Sequence, residues 1–145
     1  MASWDEVMAA APELAQTVQQ RFAGHKHHTM ATLRKDGSPR ISGTEVEFAD
    51  GKVVLGSMPD ARKAQDLQRD PRVAIHSQGE DPPESNPSDW PGEAKISGTA
   101  TEVPHEGSHR FEVDVTEIVH TKVEGDELVV RWWHANGGEQ SRRRR

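Results

Sequence analysis

The fold is decided by residues 30–77, which read MATLRKDGSPRISGTEVEFADGKVVLGSMPDARKAQDLQRDPRVAIHS. Three short segments with β-type patterns come first, and a compact cationic helix separates them from a fourth segment of alternating apolar residues. Asp36-Gly37 and Asp50-Gly51 divide the first three segments, and such dipeptides favour tight hairpin turns. The stretch therefore predicts antiparallel strands interrupted by one helix.

The second of these segments, residues 40–48, changes the parity of its apolar positions. Ile41 and Gly43 share one face of the strand, whereas Val46 and Phe48 share the other. One extra residue in a strand shifts the faces in this way. We therefore predict a β-bulge near Gly43 or Thr44.

The segment from Ser57 to Lys63 has the features of an electropositive helix start. Ser57 is predicted to be the N-cap, with Asp60 as its acidic partner and Pro59 in the first turn. Arg62 and Lys63 add two cations beside the free N–H groups that begin any helix. A phosphate is the natural ligand of such a position.

The helix itself is predicted to be amphipathic and to end at Asp70-Pro71. Its apolar stripe contains Ala61, Ala64 and Leu67, and its solvated face contains Arg62, Lys63, Asp66 and Arg69. Taken alone, the charges also fit an ordinary exposed face on which Arg62 pairs with Asp66 one turn later. A fourth strand is predicted over residues 72–77.

Four motifs occur in a fixed order: ATLRKDGSP at residues 31–39, LGS at 55–57, Arg62-Lys63, and DPRVA at 70–74. This order resembles the FMN-binding split-barrel superfamily, which includes the pyridoxamine 5′-phosphate oxidase-like proteins and relatives that use the deazaflavin F420. The resemblance covers most of residues 25–103. The order of the motifs is more specific than any one of them.

The resemblance implies a mainly β fold with α elements: a split β-barrel of about six or seven antiparallel strands with a few short helices. It also implies a homodimer with the cofactor at the subunit interface. In the family, the residues that match Ser57, Arg62 and Lys63 hold the cofactor phosphate, and the strand that matches residues 40–44 lies along the ring. The candidate cofactor-binding residues are thus Arg40, Ser42, Thr44, Ser57, Met58, Arg62 and Lys63.

The implied activity is that of a flavin- or deazaflavin-dependent oxidoreductase, which transfers a hydride between bound F420 or FMN and a small organic substrate. No catalytic residue is assigned. Between the two cofactors, F420 is mildly favoured because it carries an additional acidic tail. The chain offers cations for such a tail at Arg34, Lys35, Arg40 and the basic C-terminus. The alternative is a non-catalytic protein of the same fold that binds flavin, deazaflavin or haem, with His76, His120 or His134 as the axial ligand of haem.

Two segments depart from the family pattern. Enzymes that oxidise pyridoxamine phosphate have an arginine-rich substrate motif after a tryptophan near the C-terminus, whereas residues 131–138 read RWWHANGG. A vitamin B6 substrate is therefore disfavoured. Many relatives also place a helix between the last strands, where residues 104–109 read PHEGSH. An open or differently built substrate side is expected.

The chain is predicted to form a single domain in three parts: a helical segment over residues 1–24 packed on the barrel, the split barrel over 25–138, and a solvated, disordered basic tail over 139–145. Beyond the helix, further strands are predicted from alternation in residues 93–103, from Phe111, Val113 and Val115, and from Leu128, Val130 and Trp132. The acidic, proline-rich residues 79–92 form a long loop. Candidate surfaces for burying the cofactor ring are Ile41, Met58, Trp90, Trp132 and Trp133.

Composition narrows the possible functions. The chain has 145 residues, a mean hydropathy of −0.84 and a net charge of −6, which argues against nucleic acid as the main partner. It contains no cysteine, so disulfides and thiolate chemistry are excluded. Neither a bilayer-spanning apolar run nor a signal peptide is recognisable, and no membrane partner and a cytoplasmic location are expected.

The histidines suggest two metal sites, and neither is favoured. Residues 105–109 read HEGSH, which matches the zinc-protease motif H-E-x-x-H, but Pro104 and Gly107 indicate a turn instead of the required helix. Three further histidines, His25, His27 and His28, precede or begin the first strand. They are interpreted as a polar start to that strand in preference to a metal site or a pH-sensitive patch. No metal is predicted.

Overall fold

A computed structural model describes residues 2–145, so Met1, the first residue of the predicted helical segment, lies outside the described residues. The helices are α1 (Trp4–Ala10), α2 (Pro12–Ala23) and α3 (Arg62–Arg69), with a single 3-10 turn at Pro87–Asp89. The strands are β1 (His27–Leu33), β2 (Pro39–Ala49), β3 (Lys52–Ser57), β4 (Arg72–His76), β5 (Glu93–Val103), β6 (His109–Glu124), β7 (Glu127–His134) and β8 (Gly138–Arg144).

The strands form one antiparallel sheet in the order β3-β2-β1-β4-β5-β6-β7-β8. Because β3 also pairs with β6, the first six strands close into a barrel, and β7 and β8 extend from it as a ribbon. The predicted split barrel is confirmed. The predicted hairpins are confirmed as well: Leu33 pairs with Pro39, and Ala49 pairs with Lys52 across a turn in which Asp50 and Gly51 have positive φ.

The bulge predicted in β2 is wrong. β1 pairs with every residue of Pro39–Glu45 in unbroken register, and β3 takes over as the partner from Val46. The prediction failed because it assumed that Ile41 faces the core, whereas its side chain is 76% exposed. The register shift lies instead between Ser97 and Gly98 of β5, opposite β6.

Gly98 occupies the tightest point of this shift. A Cβ atom there would lie 2.0 Å from the main-chain oxygen of Asp114, a backbone atom that side-chain rotation cannot move. Gly98→Ala is therefore expected to lower the free energy of unfolding by about 2 kcal/mol, as overpacking in cores does. Chemical denaturation checks this, with Gly56→Ala in β3 as the control, since a Cβ there meets nothing within 4 Å. Equal stabilities of the two variants would contradict the expectation.

The N-terminal helices close one end of the barrel. Ser3 and Glu6 form the predicted capping box, and Pro12 begins α2 as predicted. Leu14, Val18 and Phe22 are buried, and the ring of Phe22 lies 6.2 Å from that of Phe48 at the end of β2. No helix among residues 2–145 has the length and apolar character needed to cross a bilayer.

His28 joins α2 to the barrel and is only 3% exposed. Its Nδ1 accepts the main-chain N–H of Gln78 (2.9 Å), so Nε2 carries the hydrogen and donates to the main-chain oxygens of Phe22 and His25 (2.8 Å each). Burial lowers the pKa of His28, although the two carbonyl oxygens oppose the shift. The ring is therefore held neutral at the start of β1, and the interpretation of the three histidines as a polar strand start stays a prediction.

This arrangement predicts a pH dependence of stability. The contribution of neutral His28 is complete above the pKa of an unfolded histidine, about 6.5, and is lost as the pH falls from there through its lower folded pKa. His28→Asn is expected to flatten the loss of unfolding free energy between pH 7.5 and 5, by at most about 1.4 kcal/mol per pH unit. Denaturation series at several pH values measure this slope, and the exposed neighbour His27→Asn is the control. The same slope in wild type and His28→Asn would refute it.

Two predictions for the C-terminal part are wrong. In β7 the buried side chains are Val129 and Trp133, whereas Leu128, Val130 and Trp132, which were predicted to share the buried face, are exposed or half-buried. Residues 138–144 are not a disordered tail. They form β8, whose residues pair with β7 from His134 to Leu128, and Arg143 lies 2.8 Å from Glu124.

Candidate functional site

An unpaired strand edge lies where the barrel is split. From Pro39 to Glu45, β2 has β1 on one side, and no strand of the described chain pairs with its other side, because β3 joins β2 only from Val46 onward. Lys63 of α3 reaches this edge and donates from Nζ to the main-chain oxygen of Gly43 (2.7 Å). We call the gap between this edge, Pro39 to Glu45, and the start of α3 the split. Main-chain polar groups of β2 border it on one side, and the cations Arg62 and Lys63 border it on the other.

The connection from β3 to α3 differs from the predicted capped helix. Ser57 is the last residue of β3, and its hydroxyl donates to the main-chain oxygen of Met58 (3.1 Å). The N-cap is Ala61, which makes no side-chain capping bond, and α3 begins at Arg62. The prediction failed because Asp60 has a φ of 61°, a left-handed conformation that a helix cannot include.

The turn through Asp60 is braced from both sides. Its N–H donates to Nε2 of His109 (3.3 Å), and its oxygen accepts from Nε2 of Gln65 (3.2 Å). Nδ1 of His109 lies 2.6 Å from a carboxylate oxygen of Glu102, whose other oxygen accepts from Gln68 (2.8 Å). The bonds from His109 and Gln68 lower the pKa of Glu102.

Asp66 anchors the helix to the barrel. It is 2% exposed, and it accepts hydrogen bonds from Thr32 (2.7 Å), Arg40 (2.7 Å) and Arg69 (2.8 Å). Burial opposes its ionisation, but the bonds from Arg40 and Thr32 and the two guanidinium charges outweigh burial and lower its pKa. Its predicted place on the solvated face, paired with Arg62, is wrong because Arg40 projects from β2 towards the same point.

The three phosphate-binding candidates therefore differ in environment. Ser57 and Lys63 line one small cavity of about 10 Å³, whereas Arg62 is exposed and takes part in none of the ion pairs among residues 2–145. Burial lowers the pKa of Lys63, and the nearby Glu45 partly opposes this. The main-chain oxygen that Lys63 contacts carries only a partial charge. An anion beside Lys63 would stabilise its charged form more strongly.

The remaining candidates are distributed along the site. Arg40 is held by Asp66, Ser42 is partly buried on the same face, and the hydroxyl of the buried Thr44 donates to the main-chain oxygen of Glu45 (2.9 Å). Met58 is 77% exposed on the turn before α3. Of these four, the structure brings only Met58 into the β3–α3 connection.

The tryptophans are not part of this region. Trp133 belongs to the core, and Trp132 is half-buried on the ribbon. Trp90 donates from Nε1 to the main-chain oxygen of Glu80 (2.7 Å) and lines a separate cavity with His76 and Glu93. The ring-burying surfaces near the split are thus Ile41 and Met58.

A larger cavity of about 410 Å³ lies beside the β3–α3 connection. Its floor includes Val46, Val54 and Gly56, and its walls carry charged and imidazole groups from Glu45, Glu47, His105, His109 and Arg110, among others. This volume falls within the range typical of pockets for small molecules and cofactors. The split and this cavity share the end of β3.

The HEGSH segment forms a loop between β5 and β6, as predicted, and not a helix. Among residues 2–145, no three side chains of the metal-binding types are grouped closely enough to hold an ion. Sequence reasoning missed the bonded pair of Glu102 and His109 beside the candidate site. Hairpin geometry offered a signal, because short loops bring the residues on either side of them together.

The sequence matches the family model described as pyridoxamine 5′-phosphate oxidase over residues 14–127. No curated protein sequence matches it significantly. Residues 14–127 include the split, α3 and the turn through Asp60, so the family match covers the whole candidate site.

Solved structures with the same fold have low sequence identity. PhzG from Burkholderia lata 383, in complex with tetrahydrophenazine-1-carboxylic acid, has a TM-score of 0.67 and 11% identity, covering 98% of this chain and 93% of PhzG. A pyridoxamine 5′-phosphate oxidase-related, FMN-binding protein from Nostoc punctiforme PCC 73102 has a TM-score of 0.62 and 11% identity, with coverage of 100% and 98%. A haem-binding protein from Mycobacterium smegmatis has a TM-score of 0.55 and 17% identity, covering 87% of this chain and 57% of that protein. The chain belongs to the pyridoxamine 5′-phosphate oxidase-like family of split barrels.

Proposed function

We propose that the protein is an oxidoreductase that binds FMN or F420 at the split and transfers a hydride between this cofactor and a small organic substrate. The observation that carries the proposal is Lys63, a partly buried cation whose ammonium group contacts a main-chain oxygen at an unpaired strand edge. Such a cation favours an anionic ligand. The cofactor, when bound, supplies the redox chemistry.

The residues present fit a phosphate-bearing cofactor. Ser57 offers a hydroxyl, Lys63 an ammonium and Arg62 an exposed guanidinium that makes no ion pair within the described chain. Bonds of this charge-assisted kind contribute about 1.5 to 3 kcal/mol each. The main-chain groups on the unpaired side of β2 between Ile41 and Glu45 can bond the polar edge of a ring, although the oxygen of Gly43 already accepts from Lys63, and the side chain of Ile41 can cover the apolar surface of the ring.

Both proposed cofactors offer a phosphate to these residues. F420 also carries an acidic tail, and Arg110 in the wall of the 410 Å³ cavity is a cation without an ion-pair partner among residues 2–145. This cavity is continuous with the end of β3 through Gly56, which lines it together with Glu45. These features support F420 as the first cofactor to test.

We also propose a homodimer. The outer face of β1, β2 and β4 carries small or apolar side chains, including Ala31, Ile41 and Ala74, around a shallow cavity of about 210 Å³. Ile41 is 76% exposed in the single chain. A second copy that covers this face would bury it and enclose a ring lying along β2.

Haem binding is the competing function. Among the three possible axial ligands, His120 is buried with Nε2 bonded to the main-chain oxygen of Pro91 (2.9 Å), and Nε2 of His76 lies 3.2 Å from Glu93. Nδ1 of His134 accepts the N–H of Asn136 (3.2 Å), so its hydrogen lies on Nε2, and ligation of iron by Nε2 requires this hydrogen to leave. A haem complex would show a Soret band that one of His76→Ala, His120→Ala and His134→Ala abolishes, and retention of the band in all three variants would remove these ligands.

A side-by-side fluorescence titration with FMN and F420, each also examined by gel filtration with light scattering, tests the proposal. We expect saturable binding of one cofactor and a mass of two chains. The titration is repeated with Lys63→Met. Lys52→Met is the control for a lost lysine charge, because Lys52 lies at the other end of β3 and pairs with Glu112. Absence of binding to both cofactors would remove the oxidoreductase proposal, and a mass of one chain would remove the dimer.

A further inference from the structure

The β3–α3 turn that presents the phosphate-binding residues has a strained conformation. Asp60, a non-glycine residue, has a φ of 61°. Asparagine and aspartate tolerate this region better than most residues, but it is still less favourable than ordinary backbone. Such conformations persist where the surroundings fix them, and they concentrate at ligand-binding sites.

The surroundings that fix this turn come from a distant hairpin. His109 begins β6 and pairs in register with Ser57, the last residue of β3. Its Nδ1 lies 2.6 Å from Glu102 of β5, so Nδ1 carries the hydrogen and Nε2 has a free lone pair. That lone pair accepts the N–H of Asp60 (3.3 Å). Glu102 therefore selects the tautomer that His109 needs to hold the turn.

The same carboxylate also contacts the helix. The second oxygen of Glu102 accepts from Nε2 of Gln68 on α3 (2.8 Å), and Gln65 on α3 donates to the oxygen of Asp60 (3.2 Å). A closed set of hydrogen bonds thus connects β5, β6, the turn and α3. It fixes the direction in which the chain leaves Ser57 and enters Arg62-Lys63.

We propose that Glu102 and His109 are positioning residues for cofactor binding: they fix the left-handed turn at Asp60, so that Ser57, Arg62 and Lys63 converge on the cofactor phosphate. This inference rests on the proposed function. Neither residue needs to touch the phosphate, because the effect passes through the Asp60 N–H; His109 also lines the 410 Å³ cavity. Loss of the pair leaves the turn free to relax and weakens only the phosphate contacts.

The test measures dissociation constants of the cofactor that binds and of its phosphate-free parent, riboflavin for FMN or the ribityl deazaflavin chromophore for F420. His109→Ala is expected to weaken the phosphate-bearing cofactor about tenfold, the loss of roughly one charge-assisted bond, and to change the affinity of the parent less than about twofold. His109→Gln is expected to restore most of the affinity, since its amide oxygen can accept the Asp60 N–H. The exposed His27→Ala is the control.

A second readout needs no ligand. Amide hydrogen exchange at Asp60 is expected to become faster in His109→Ala and in Glu102→Ala, and to stay near the wild-type rate in His109→Gln. Unchanged exchange in His109→Ala would overturn the proposal, and so would equal weakening of the cofactor and its parent. If the wild-type protein binds the cofactor and its phosphate-free parent with equal affinity, the proposed function is overturned, and this inference with it. Phosphate-dependent binding that His109→Ala leaves intact would overturn the inference alone.

Discussion

Asp66→Ala is expected to lower the free energy of unfolding by about 2 to 4 kcal/mol, the largest stability effect of any single charge in this protein. The substitution leaves Thr32 without its acceptor and places two guanidinium groups, from Arg40 and Arg69, beside a cavity with no counter-charge. Both arginines are partly exposed, with side-chain exposures of 23% and 38%, so solvent reduces the loss below that of a fully buried pair. Since whole domains are stable by only about 5 to 15 kcal/mol, this is a large share.

Urea denaturation of wild type, Asp66→Ala and Asp66→Asn measures the effect. Asp66→Asn keeps the shape and one acceptor, so it is expected to fall between the other two. Asp70→Asn is the control because Asp70, the C-cap of α3, is likewise a carboxylate bonded to an arginine, but its partner Arg72 is exposed. A loss for Asp66→Ala no greater than that of Asp70→Asn would show that the buried cluster does not anchor α3.

Lys63→Met is expected to weaken binding of FMN or F420 by about tenfold to a hundredfold, which corresponds to one charge-assisted hydrogen bond of ~1.5 to 3 kcal/mol. Methionine keeps the length of the side chain and removes the ammonium group, which burial already destabilises in the free protein. The substitution is therefore expected to leave the free energy of unfolding near the wild-type value or to raise it slightly. Fluorescence titration and denaturation of the same preparations separate the two effects.

Lys52→Met serves as the comparison, because it removes the same charge from the opposite end of β3. If both lysine variants weaken the cofactor equally, general charge attraction explains the binding, and the split is not the phosphate site. If neither weakens it, the phosphate lies elsewhere. Only selective loss in Lys63→Met agrees with the proposed geometry.

Local sequence patterns predicted the elements that depend on local chemistry. The hairpins at Asp36-Gly37 and Asp50-Gly51, the capping box of α1, the apolar stripe of α3 and the strand over residues 93–103 are all present. In each, the residues that decide the structure are close together in sequence. The resemblance to split barrels supplied what these patterns do not contain, namely a barrel of antiparallel strands, whereas the pairing of β3 with β6 that closes it was not predicted.

The wrong predictions concern residues whose surroundings come from distant parts of the chain. Asp66 is buried because Thr32 and Arg40 reach it from β1 and β2, which helix periodicity cannot show. Ile41 is exposed although it is apolar, and the bulge inferred from it does not exist. Pairing with β7 makes residues 138–144 a strand, and neither their charge nor their terminal position indicates it.

The candidate site was predicted in part. The motif order named Ser57, Arg62 and Lys63 as phosphate-binding candidates, which stays a prediction, and the predicted cap at Ser57 is wrong. Between Ser57 and Arg62 the chain instead passes through the left-handed Asp60, whose N–H bonds to His109. The last histidine of HEGSH is the partner of Glu102, a role that the zinc-protease motif does not indicate.

Affinities of the wild-type protein for FMN and riboflavin, and for F420 and its phosphate-free chromophore, measured under one set of conditions, decide whether the split binds a phosphate. The proposed geometry predicts that the phosphate-bearing member of one pair binds about a hundredfold more tightly, as one or two charge-assisted bonds require. It also predicts that rising salt reduces this difference, because exposed Arg62 contributes to it. Equal affinities within both pairs would contradict the phosphate site and, with it, the proposed function.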